Sequence, residues 1–267
     1  MRPLIFALVL FLLLPCATGQ VAADVSSELE KYNAAAQKFE QLRSEAKKQD
    51  RLPRISEPET AATLAILANA SGSLGTPAFP ASAETMEADV CGAAFKATVA
   101  YMLFGLDKEI KPGMSSADSG QLFLAIQQKN FSAFQDEVVP LLVFSTHCQA
   151  LHIPVVENFI ANLPVEQITA IRRDGIKQLR LGIRQMVVGS IQQLADPNLK
   201  DINRHAMFFG VVRDLPTFVP ILKPEERAQM RQFLEQQIAI APSEFQDQIK
   251  GTIAAFQTDK CEGLCKY

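Results

Sequence analysis

Histidine is scarce in this chain, with three in 267 residues. His147 and His152 are five apart, about 140° around a helix, so they share no face. No H-E-x-x-H or comparable ligand spacing occurs, and no metal site is expected. The Gly-rich phosphate loops G-x-G-x-x-G and G-x-x-x-x-G-K-[ST] are missing, and no cofactor is expected. Ser190 follows Gly189 but lacks the G-x-S-x-G spacing of a nucleophile elbow. His147 and Cys148 are an adjacent imidazole and thiol, yet neighbouring side chains on a helix point apart, and Cys148 is better used in a disulfide. His205 reads as a surface or capping residue. Whether the chain is an enzyme stays open, with the weight against it.

Other absences narrow the class. The sequence shows no convincing alternating strand and no Asn-Gly hairpin, which excludes most sheet architectures. It has no polybasic run for anionic lipid and no basic balance for nucleic acid. Beyond the first nineteen residues no unbroken apolar run reaches eighteen, so no transmembrane span is expected there.

What is present begins with a leader. Arg2 precedes an unbroken apolar run from Leu4 to Leu14, Pro15 ends it, and Ala17-Thr18-Gly19 offers small residues to a signal peptidase. Residues 1–19 therefore read as a signal peptide, and the mature chain as exported, periplasmic or secreted. A lipid anchor at Cys16 is a lesser alternative, because Pro15 is a poor residue before a lipoprotein cysteine. Removing 1–19 leaves 248 residues, enough for a core that needs no staples. Without Arg2, 25 basic residues face 29 acidic ones, a net charge of −4.

With Cys16 gone, Cys91, Cys148, Cys261 and Cys265 remain. An even number in an exported chain predicts two disulfides. The favoured pairing is Cys91–Cys148 with Cys261–Cys265, the latter a clip in the tail CEGLC, where Gly263 permits a tight turn. The alternative folds the tail back onto Cys91 and Cys148.

The periodicity is helical almost throughout, and the expected fold is all-α, an irregular multi-helix bundle of about eight to ten helices. Val25, Leu29, Tyr32, Ala36 and Phe39 form one stripe of an N-terminal amphipathic helix over 24–50. A Pro/Ala/Ser/Gly-rich linker with a short helix follows at 51–84, then a helical domain at 85–258 and a Cys-containing tail at 259–267. Pro140 is expected to kink or interrupt the helix around 131–151. Asn162 with Pro164 is expected to open the next long helix, and Asn198 another to about 212. Ser243 and Gln246 form a capping box, after which Phe245, Ile249, Ile253 and Phe256 line the last helix.

The long helix carries an internal heptad, GIKQLRL at 175–181 and GIRQMVV at 182–188. Gly175, Gly182 and Gly189 fall on one line and predict close helix packing, since each interior glycine costs about 1 kcal/mol relative to alanine. Arg173, Lys177, Arg180 and Arg184 cluster within about 60° of one another. Such a stripe is either a solvated face or a docking face for an acidic partner. Arg172 falls on the apolar side, where it would be buried and paired. Asn69-Ala70-Ser71 and Asn130-Phe131-Ser132 match the glycosylation acceptor.

These features point to an exported helical binding protein of the cell envelope or secreted space. Its partner would be another protein, met through the 24–50 helix or the 173–184 basic face. Two alternatives are an apolar-ligand carrier, with a cavity between helices beside the glycine line, and a helical hydrolase of unfamiliar type, with converging acids or His205 and an acid.

Overall fold

The computed structural model describes residues 23–72, 90–194, 196–239, 241 and 243–267. The leader, Cys16 and the 73–84 part of the Pro/Ala/Ser/Gly-rich segment lie outside them. Among the described residues there are ten α-helices, nine of them seven residues or longer, and no strand. The chain divides into two compact units at Ser145/Thr146, inside the stretch that the sequence reads as one helical domain.

The first unit holds α1 (Ala23–Lys47), α2 (Pro58–Leu67), α3 (Val90–Met102), the single turn α4 (Leu106–Glu109), α5 (Ser116–Ala133) and the start of α6 (Gln135–Ala161). α1 packs on α2 and α3, and α3 on α5. α1 packs through Tyr32, Ala35 and Phe39, which are buried, with Leu29 and Ala36 of the expected stripe only half-buried, whereas Lys31, Glu40 and Lys47 face water. Local chemistry sets the helix starts. Pro58 begins α2 after Glu57, whose Oε2 accepts from the Arg54 amide at 3.1 Å. Ser115 caps α5 by accepting from the Asp118 amide at 3.1 Å.

The segment at 51–57 is tied down on several sides. Leu52 and Pro53 are buried, and Tyr101 donates its hydroxyl to the Pro53 carbonyl at 2.8 Å. The buried Glu137 accepts from the Ile55 amide at 2.9 Å and pairs with Arg54 at 3.1 Å. Arg54 also lies 4.8 Å over the Phe134 ring. This part of the chain is therefore packed structure rather than free linker.

The second unit contains the rest of α6, then α7 (Ala170–Leu194), α8 (Asp201–Phe218), α9 (Pro224–Ile238) and α10 (Ser243–Ala255). α8 is its central helix. Met207, Phe208, Val211, Val212, Leu215 and Phe218 are buried, between α7 and α10. α10 answers with Phe245, Ile249 and Phe256, all buried, and Ile253 half-buried.

Several boundaries differ from expectation, for local reasons. α6 runs unbroken through Pro140 to Ala161, so the proline does not interrupt it. α7 starts at Ala170 because Thr169 Oγ1 accepts from the Arg172 amide at 3.2 Å, while Pro164 leads only into a 3₁₀ turn at Val165–Gln167. The Asn198 amide is occupied by Asp196 Oδ1 at 2.9 Å, and α8 begins at Asp201 and continues through Pro216. Arg204 then closes the end of α7, donating to the carbonyls of Leu194, Asp196 and Leu199 at 2.5, 2.8 and 3.3 Å. Gln246 turns back from α10 to the Ala241 carbonyl at 3.4 Å.

α6 is the one described helix long and apolar enough to cross a membrane, with a mean hydropathy of 1.4 over its best window. Apolar residues need not be contiguous to reach that value, which is why counting unbroken runs passed it over. More than half of that window is buried inside the protein, as in the core helix of a folded domain.

Candidate functional site

The basic stripe on α7 splits into two parts. Ile176, Ile183, Val187, Ile191 and Leu194 form the buried side of the helix. Arg180 is about 40° from Ile176 around the axis, whereas Lys177 is about 100° away. Arg180 is accordingly buried, 3% exposed, and donates to Glu226 Oε2 at 2.6 Å. Arg184 is half-buried, with its Nε 3.0 Å from Glu226 Oε1. Glu226 Oε2 also accepts from the Lys223 amide at 2.9 Å, the reciprocal half of a capping box at the start of α9. Two of the four cations are thus held by a helix-starting carboxylate, and only Arg173 and Lys177 stand in water. Arg172 is exposed, contrary to expectation, because it sits in the first turn of α7, where its guanidinium reaches back to the Gln167 carbonyl at 3.2 Å.

The glycine line is not uniform. Gly175 is buried and Gly182 half-buried. At Gly189 an added Cβ would meet nothing within 4 Å, so that position is not a close approach.

His147 supplies a pairing that sequence did not suggest. Its Nδ1 lies 3.1 Å from Oδ1 of the buried Asp214, on α8. Arg213 grips the same carboxylate through Nε and one terminal nitrogen, at 3.0 and 2.6 Å. Burial opposes ionisation of Asp214, but the bonds from His147 and Arg213 and their charges outweigh it and hold the carboxyl below its ordinary range. The guanidinium of Arg213 also stands 5.9 Å from the centre of the Phe209 ring. Phe209 is 55% exposed, and Ile202, seven residues earlier on α8, is 77% exposed. Ile202, Phe209 and Arg213 therefore form an outward row on the helix whose other side is the core of the unit.

The remaining histidines play other parts. His152 is buried, and desolvation pushes it down to about 4. His205 stacks edge-on against Phe245, with ring centres 4.8 Å apart. Among the described residues no group of three His, Cys, Asp or Glu side chains could hold a metal ion.

Two cysteine pairs stand at disulfide distance. Cys261 is bonded to Cys265, with Cα atoms 5.2 Å apart. This pairing rules out a tail that folds back onto Cys91 and Cys148, which are buried and likewise disulfide-bonded. The clip seats Leu264 and Cys265 in the interior. Gly263, at φ +53°, passes so close to the Glu157 carboxylate that a Cβ would collide with it, and the Leu264 amide donates to Glu157 Oε1 at 3.1 Å. Burial raises Glu157 above its usual range despite that bond. Beside the tail, the buried Arg227 donates to the carbonyls of Val219, Pro220 and Thr258 at 3.0, 3.4 and 2.6 Å. It gathers the end of α8 and the exit of α10 around one guanidinium.

Asn130, an expected acceptor for glycan, is 5% exposed and donates to the Met102 and Phe104 carbonyls at 3.1 and 2.9 Å. It caps the end of α3.

No protein family, curated protein or solved structure matches this chain. The functional argument therefore rests on the side chains themselves.

Proposed function

We propose that this protein works by binding another protein in an exported, oxidising compartment, and that the outer face of α8 makes the contact. The leader and the oxidised cysteines support the compartment. The observation that carries the reading is the row of Ile202, Phe209 and Arg213, two large apolar side chains and an arginine held facing water on the central helix of its unit. Aromatic and arginine side chains of this kind are the types enriched at interface hot spots. The occupant is a partner with an apolar ridge that covers Ile202 and Phe209; the Arg213 guanidinium beside them is already paired with Asp214. Arg173 and Lys177 extend the exposed basic character of the unit.

The test is capture from envelope or secreted extract with three baits: the wild-type chain, Phe209→Glu and Arg173→Glu. A protein held by the wild type and by Arg173→Glu but lost with Phe209→Glu supports the α8 face, provided the baits melt alike. Identical capture by all three removes it.

A second reading, the helical hydrolase, is favoured by one observation. An imidazole oriented by a buried carboxylate, as His147 is by Asp214, is the acid–base part of many hydrolytic sites. Turnover of ester or amide substrates that disappears in His147→Gln would support it; no turnover above the buffer rate would discard it.

A further inference from the structure

The chain ends in a short disulfide loop. Cys261 and Cys265 have a sequence separation of four, whereas the Cys91–Cys148 bond closes a far longer stretch. Loop entropy therefore protects the tail bond much less. The two tail sulfurs also differ in placement. Cys265 is fully buried, in the 3₁₀ turn Gly263–Lys266. Cys261 is only half-buried, in the irregular stretch before that turn, between the exposed Lys260 and Glu262. Cys91 and Cys148 are both buried. The tail bond thus runs from the interior outward, and its outer end is the one half-cystine of the four that is not buried.

The surroundings of Cys265 suit a sulfur that is released and taken back. Nη2 of the buried Arg227 stands 4.0 Å from Cys265 Sγ, and the Leu222 carbonyl oxygen lies 3.3 Å from it. A thiolate freed here faces a guanidinium, and a thiol here has a carbonyl to donate to. A nearby cation lowers a thiol's pKa, and a leaving sulfur departs faster the lower that pKa is. Two contacts that involve no sulfur also hold the tail: the Leu264 amide on Glu157 and the Thr258 carbonyl on Arg227. They keep a freed Cys265 beside Arg227 and within reach of Cys261.

We propose that the tail disulfide is a thiol–disulfide exchange site, with Cys261 the sulfur attacked and Cys265 the leaving sulfur, and that its substrate is an accessible thiol of a peptide or another protein. The incoming thiolate attacks Cys261 Sγ from outside, in line with the bond. The Cys261–Cys265 bond breaks, its electron pair leaves on Cys265, and a mixed disulfide joins Cys261 to the substrate. Cys265 thiolate then attacks Cys261 and returns the substrate thiolate, or a second substrate thiolate attacks the first and frees Cys261. The second route oxidises two substrate thiols to one disulfide and reduces the tail by two electrons. The inference does not rest on the contact proposed for α8.

The probe is glutathione, a cysteine peptide, used with the oxidised chain purified after export and without denaturant. After an acid quench and alkylation, peptide mass spectrometry follows each bond. Reduced glutathione should open Cys261–Cys265 roughly a hundredfold faster than Cys91–Cys148, with the transient adduct on Cys261. Equal rates, or opening only in denaturant, overturn the site. Single variants locate the attack without reducing agent. Oxidised glutathione should modify Cys261 in Cys265→Ser and leave Cys265 untouched in Cys261→Ser; the reverse pattern overturns the assigned roles. The thiolate absorbance of Cys265 in Cys261→Ser should titrate below about 8.5, the ordinary cysteine value. A midpoint at or above that value overturns the part given to Arg227.

Discussion

Buried charges in the second unit are fixed by specific partners. Arg180 shares Glu226 with Arg184 and with the Lys223 amide just before α9, and Arg227 is surrounded by carbonyls. Breaking a buried pair leaves an uncompensated charge, which costs about 3–5 kcal/mol. Arg180→Glu should therefore lower the unfolding free energy by about that much, whereas Arg173→Glu should change it by less than about 0.5 kcal/mol. Urea denaturation of the two variants separates them; comparable losses would mean that Arg173 is not the solvated cation it looks. The same logic applies to Asn130. Its amide is committed to two carbonyls, so expression in a glycosylating host should leave it unmodified. Asn130→Asp should destabilise by about 1–3 kcal/mol by putting a carboxylate oxygen where a donor is needed. Glycan found at Asn130 by mass spectrometry on folded protein would contradict this.

At the scale of elements, the helices carry glycines for different reasons. Gly263 lies in the left-handed region against Glu157 and tolerates no side chain. Gly120, Gly189 and Gly251 are helical, and an added Cβ would find open space at each. Replacing each with alanine should stabilise by about 0.5–1 kcal/mol, chiefly by restricting the unfolded chain, and the three should add because they sit on different helices. A fall in melting temperature for Gly189→Ala would restore the close packing expected of the heptad. The tail responds to the opposite treatment. Cys261–Cys265 closes a loop with a sequence separation of four, so the double serine variant should lose about 2 kcal/mol through loop entropy. Its loosening should appear as hydrogen exchange at the Leu264 amide that Glu157 holds.

For the whole molecule, the sharpest consequence is acid sensitivity. His152 is neutral in the fold down to about 4, while an unfolded histidine titrates near 6.5. Above that value both states are neutral, and full stability is present. As the pH falls from about 6.5 to 4 the unfolded state takes up a proton that the native state refuses, so stability drops by about 3 kcal/mol. Below that, protonation of the depressed Asp214 removes more. Unfolding free energies at pH 7 and pH 4.5 should therefore differ strongly for the wild type and much less for His152→Leu. Equal differences in both proteins would exclude His152 as the source.

Most of this architecture was legible in the order of the residues. Repeating steps of three and four define α7 and α10, because an amphipathic helix must write its buried face at its own period. Pro224 and Glu226 mark a helix start through backbone chemistry that acts within a turn. The heptad even held a clue to Arg180, which occupies the place in GIKQLRL that the buried Val187 occupies in GIRQMVV. What sequence could not supply were meetings between residues far apart in the chain: His147 with Asp214, Glu157 with Leu264, Arg180 with Glu226, Tyr101 with Pro53. Local periodicity says which way a side chain points, not what waits there. The same gap hid the open space at Gly189 and the buried Tyr32 hydroxyl, since a helix stripe records burial but not whether a polar atom within it is satisfied. Helices and their faces follow from local rules; the partners of the buried charges, and the surfaces left without partners, are decided only when the helices pack.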